Sequence, residues 1–90
     1  MSDPELRALL EQLHGELEHT QSVDKKGQEL LRVLRADIRE LLERSEAGPV
    51  QVHPSKLQHL EDSIRHFEVT HPHLTGMLSS LFEALSNAGI

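Results

Sequence analysis

Histidine is the residue with the widest chemical reach in this 90-residue chain, and there are seven of them. His59 and His66 lie seven apart, with Asp62 three past His59, so a helix would set imidazole, carboxylate and imidazole along one outer face. Such a row can hold Zn²⁺ or Ni²⁺ loosely. With no ligand it can instead titrate at about pH 6.5 as a sensor. His71 and His73 flank Pro72, and His14 lies between Glu11 and Glu18. None of these spacings matches a strong signature such as His-Glu-x-x-His. The histidines are read as polar surface residues, with no metal ligand and no cofactor assigned. A metal-binding or pH-sensing protein built on His59, Asp62 and His66 is the alternative.

Other chemistry has less to start from. Without cysteine there are no disulfides, thiol nucleophiles or thiolate metal sites. No Gly-x-Ser-x-Gly turn and no glycine-rich phosphate loop occurs. Ser79, Ser80 and Ser86 fall on a helical stretch where serine faces solvent, and Glu61 and Asp62 are neighbours that point apart. No catalytic residue is assigned, and the chain is read as non-enzymatic. Two phenylalanines, no Trp or Tyr and a net charge of −6 argue against nucleic-acid binding. No apolar run approaches the roughly 20 residues of a membrane span. The opening Met1-Ser2-Asp3-Pro4 lacks a basic-then-apolar leader, so a cytoplasmic protein is expected.

The elements that must carry these residues are written in leucine. Leu6, Leu10, Leu13 and Leu17 make one stripe, and Leu31, Leu34, Ile38 and Leu41 a second. Leu57, Leu60, Ile64 and Phe67 make a third, and Leu74, Leu78, Leu81 and Leu85 a fourth. Steps of three and four place each set on one face of a helix that must bury it against another. The expected architecture is all-α, a single domain of two antiparallel hairpins with coiled-coil-like seams. Its four helices are expected over about 3–19, 24–44, 55–69 and 72–88, with a loop over 45–54. Ser2 with Glu5, and Ser55 with Gln58, have capping-box spacing for helices 1 and 3. Gly27 falls in the first turn of helix 2, where fraying costs little. Thr70-His71-Pro72 permits either a kink in one long helix or a break capped by Thr70 or His71, and the break is preferred. Gly89-Ile90 suits a C-terminal cap.

Charge is uneven: residues 1–23 carry −4, residues 24–44 carry +1 and the remainder −3. An acidic first helix beside a slightly basic second favours their pairing, although exposed pairs contribute only about 0.2–1 kcal/mol each. Within helix 2, Glu40–Arg44 and Arg39–Glu43 have i,i+4 spacing. Arg32, Arg35 and Arg39 form either an anion-binding stripe or a solvated flank facing the acids of helix 1 or of a partner. Interleaved acids and the absence of aromatics favour the flank.

Leu9 to Glu18 at the start, Glu29-Leu30-Leu31-Arg32 and Asp37-Ile38-Arg39 in the middle, and His66-Phe67-Glu68 later form a recognisable pattern. His71-Pro72-His73-Leu74-Thr75 and Leu85-Ser86-Asn87-Ala88-Gly89-Ile90 complete it. Over nearly its whole length the chain resembles a small bacterial family, domain of unknown function 4404. The resemblance implies a bacterial, all-helical, stand-alone protein and carries no activity or site residues. The leucine seams themselves point to a protein–protein interaction or self-assembly module, with a homo-oligomer, a dimer first, as partner. Met77 and Phe82 widen the fourth stripe, so helix 4 is where contact with that partner is expected.

Overall fold

The computed structural model describes residues 4–22, 24–47 and 52–88. Four helices account for nearly all of them: α1 (Pro4–His19), α2 (Lys25–Ala47), α3 (Pro54–Phe67) and α4 (Pro72–Ala88). Three of the four apolar stripes bury the residues that their spacing selects, from Leu6 to Leu17 in α1, Leu31 to Leu41 in α2 and Leu74 to Leu85 in α4. In α3 the inward face is rotated. Leu60 and Phe67 are buried with Ser63 between them, while Leu57 and Ile64 are only half-buried. The cause lies on the other flank of α3, where Lys56, His59 and His66 reach across to α2 and the turn before it and fix the helix's rotation about its axis.

The helices pack as a closed ring. α1 meets α2, α2 meets α3, α3 meets α4, and α4 returns to α1, while the diagonal pairs do not approach one another among the described residues. Short connections make each neighbour antiparallel, the up-down-up-down arrangement of a four-helix bundle. Fourteen apolar side chains fill one core cluster, and each contributes about 1.5–3 kcal/mol through burial. Met77 and Phe82, which widen the fourth stripe, pack half-buried against that same core.

The helix ends explain where the sequence-based boundaries shift. α2 continues to Ala47, three residues past the expected end at Arg44. Its Ser45 is buried, donating to the Leu42 carbonyl at 2.7 Å and accepting from Arg7 at 3.2 Å. α3 begins at Pro54 with His53 as its N-cap, not at Ser55. The His53 Nδ1 accepts from the Ser55 N–H at 3.1 Å, so an imidazole does the work expected of a serine hydroxyl. Between α3 and α4 the chain breaks: the His71 N–H donates to Phe67 O at 2.7 Å, and His71 O accepts the Thr75 N–H at 3.0 Å. His71 is thus the N-cap of α4, with Pro72 in the first helical position that tolerates it.

Gly27 corrects a further expectation. It is buried, and a Cβ placed on it would lie 2.9 Å from the Ser22 Cβ and closer still to Ser22 Oγ. The turn preceding α2 folds down onto this glycine, so the position is constrained and not a frayed end. Within α2, Glu40–Arg44 pairs at 2.9 Å, whereas no Arg39–Glu43 ion pair forms among the described residues. Ser2, the 48–51 segment and Gly89-Ile90, to which capping or loop roles were assigned, lie outside the described residues.

Candidate functional site

Each histidine with a described contact is fastened to a neighbouring group, and four of them, His59, His66, His71 and His73, reach a separate helix or turn. On the α2/α3 seam, His59 Nδ1 lies 2.9 Å from Asp37 Oδ2. The carboxylate accepts, so this nitrogen carries the proton. Asp37 also accepts from Lys56 Nζ at 3.3 Å, and Lys56 reaches Glu40 at 2.5 Å. Lys56 and Asp37 are largely enclosed, with side chains 16% and 14% exposed. The hydrogen bond to Glu40, with Asp37 beside it, holds the Lys56 ammonium above its usual range against the opposing effect of burial. In return the Lys56 hydrogen bond and charge hold Glu40 below the usual carboxylate range.

A second group closes the end of the bundle where α1 passes into α2 and α3 into α4. His66 Nε2 lies 3.0 Å from Asp24 Oδ2, tying α3 to the turn that precedes α2. His71 Nε2 donates to Gln21 O at 2.8 Å, tying the α4 N-cap to the end of α1. Phe67, fully buried, stands between the two imidazoles and meets both edge-on with ring centroids 5.0 Å away. The Ser22 hydroxyl donates to Asp24 Oδ1 at 2.6 Å and is the main cause of the depressed Asp24 pKa, with His66 adding to it. Thr75, also buried, donates to both His71 O and Phe67 O, at 2.6 and 3.2 Å. Residues 71–75 are therefore a fastening between turns, with Leu74 seated in the core.

The α1/α2 hairpin has its own fasteners. Arg35 donates to Leu17 O at 3.0 Å and Thr20 O at 2.9 Å, joining the Thr20 N–H on the Leu17 carbonyl and capping the end of α1. Arg7 reaches Glu46 at 2.9 Å, and that hydrogen bond raises the Arg7 pKa further. On the remaining seam, His73 approaches Glu16 at 3.9 Å across the α1/α4 boundary. His14 approaches Glu18 within α1 at 3.6 Å.

The three residues proposed as a metal row do not converge. His59 turns to Asp37 and His66 to Asp24, while Asp62 accepts from Gln58 within its own helix at 3.0 Å. Among the described residues no group of three or more His, Asp or Glu is placed to hold a metal ion. The three arginines also separate: Arg35 is tied to α1, whereas Arg32 and Arg39 remain exposed. Sequence reasoning missed Asp37, the acceptor shared by Lys56 and His59, and Ser63, whose hydroxyl is buried with no hydrogen-bond partner.

Fold and contacts together define a small all-α protein, a four-helix bundle closed by imidazole, carboxylate and guanidinium fasteners. The family profile described as Domain of unknown function (DUF4404) matches residues 6–90, and the chain belongs to that family. Neither a curated protein nor a solved structure matches it. Among the described residues no helix is long and apolar enough to cross a membrane.

Proposed function

We propose that the chain is a non-enzymatic, cytoplasmic interaction module whose partners include a second copy of itself. The observation that carries this reading is the use made of its reactive side chains. Among the described residues, Lys56 and His59 meet on Asp37 across the α2/α3 seam, Arg35 ties α2 to the end of α1, and His66 and His71 reach the turn between α1 and α2, so these side chains are engaged in holding the bundle together. What such a bundle offers other molecules is a firm outer surface. The expected dimer is tested by size-exclusion chromatography with light scattering over a wide concentration range. A mass that rises toward twice the chain's 10.2 kDa supports it, and a fixed monomer mass at about millimolar protein would remove self-association.

One observation favours pH sensing as a second reading. His66 ties α3 to the turn before α2, and His71 ties the α4 N-cap to that same α1–α2 connection, so two imidazoles hold this end of the bundle together. Melting temperatures of the parent, His66→Gln and His71→Gln at about pH 5.5 and 8 decide it. A pH response that vanishes in the variants supports the reading, and an identical response in all three discards it.

A further inference from the structure

Two rows of opposite charge run side by side along the outer face of the α1/α2 hairpin. On α1, Glu11 and Glu18 are exposed on the flank that Arg7 turns toward α2, and each lies beside a base one turn earlier in the same helix, Arg7 at 3.2 Å and His14 at 3.6 Å, which a second copy's arginine would join or replace. On α2, Lys25, Arg32 and Arg39 are exposed, at successive spacings of seven residues. Arg32 and Arg39 lie one turn beyond Gln28 and Arg35, on the flank that Arg35 turns toward α1. None of the ion pairs among the described residues uses Lys25, Arg32 or Arg39.

The register makes this face complementary to itself. Arg7 bonding Ser45, and Arg35 bonding Leu17 O, show which positions of the antiparallel pair lie level. By that register Arg32 lies about two residues, or about 3 Å along the axis, from the level of Glu18. Arg39 has the same offset from Glu11. A two-fold axis parallel to the helices would lay the α2 of one copy antiparallel over the α1 of the other at unchanged height. Glu18 then faces Arg32 of the second copy and Glu11 faces its Arg39, and symmetry repeats both pairs. The outward side of α4 offers no such match, since Glu83 is its one acidic or basic residue apart from His73.

We propose that the α1/α2 face is an isologous interface through which two copies associate, with α1 set against α2 of the other copy. The proposal rests on the self-association reading above and names the surface that it uses. The face measures about 24 by 20 Å, less than the ~800 Å² per partner of a standard interface, and its charges are exposed. The dimer is accordingly weak and salt-sensitive, with at least about a tenfold loss of affinity between roughly 50 and 500 mM salt.

Charge reversal provides the test, read by sedimentation or light scattering on the full chain. Glu11→Lys/Glu18→Lys makes both rows basic and Arg32→Glu/Arg39→Glu makes both acidic, so each variant alone is expected to be monomeric. Mixed together, the two are expected to form a one-to-one heterodimer. Variants that still self-associate like the parent, or a mixture that stays monomeric, would overturn this surface and leave self-association standing. A parent that is monomeric at every concentration would overturn both readings. Circular dichroism verifies the fold, and if a double variant unfolds the single changes Glu18→Lys and Arg32→Glu take its place.

Discussion

Lys56 shows how a charged side chain can be structural in a bundle this small. It lies between Asp37 and Glu40 with its stem enclosed, so removing its charge leaves Asp37 largely buried with His59 as its remaining partner. Lys56→Met, which keeps the stem, is expected to lower stability by roughly 1–2 kcal/mol in urea unfolding. The pH dependence follows from the shifts. The Glu40 and Asp24 carboxyls are held below their ordinary 4.5 and 3.8, so their contribution is complete above those values and is lost as pH falls through the lower folded ones. Lys56 is held above 10.5, so its contribution is complete below that value and is lost as pH rises through the higher folded one. Unfolding measured from about pH 3 to 6 should show Glu40→Gln falling less steeply than the parent, and parallel curves would refute the assignment. Ser63 is the opposite case. Its hydroxyl is buried without a partner, so Ser63→Ala is expected to be neutral or stabilising by up to about 1 kcal/mol. A loss above about 1 kcal/mol would show that the hydroxyl is bonded in solution. Asp37 could not be read as a site residue from sequence, because its partners lie 19 and 22 positions away on another helix.

At the scale of the element, the glycines separate two kinds of helical position. Gly15 is exposed mid-helix, and a Cβ placed on it would meet nothing within 4 Å, so Gly15→Ala should raise stability by up to about 1 kcal/mol. Gly27 has the same helical propensity to gain, but Ser22 and Asp24 occupy the space. Gly27→Ala must displace the Ser22–Asp24 hydrogen bond and is expected to lower stability by about 1 kcal/mol or more. Thermal melts of the two variants should therefore shift in opposite directions, and a shared rise would show that the α1–α2 turn yields freely. The contrast also marks what the chain alone discloses. Stripes at spacing three and four reveal where α1, α2 and α4 run and which face is inward. The rotation of α3 stays hidden, because Ser63 does not look like a core residue and His59 does not announce its reach to Asp37. The His53 cap was obscured for a similar reason: Ser55 has the better capping propensity, yet Pro54 fits the first helical position and moves the start ahead of it.

For the whole molecule the decisive contacts are those that join the hairpins. The short turns alone account for α1 against α2 and α3 against α4. Closure of α1 on α4 and of α2 on α3 is a non-local consequence of four apolar faces sharing one core, and the sequence pattern does not specify it. Each helix therefore has a substantial share of its packing partners, though less than half, in the other hairpin. Separating them would re-expose many side chains worth about 1.5–3 kcal/mol each, against a typical total stability of about 5–15 kcal/mol. Peptides spanning 4–47 and 52–88 should accordingly show weak helicity and no cooperative melt when alone. When mixed in equal amounts they should regain helicity and a sharp transition, because His66–Asp24, His71–Gln21 and the shared core can all re-form. Circular dichroism of the two peptides and their mixture provides the measurement. A cooperative, monomeric melt for 4–47 by itself would mean that the first hairpin is an independent folding unit, and the closed ring would then be an association of two units instead of one cooperative core.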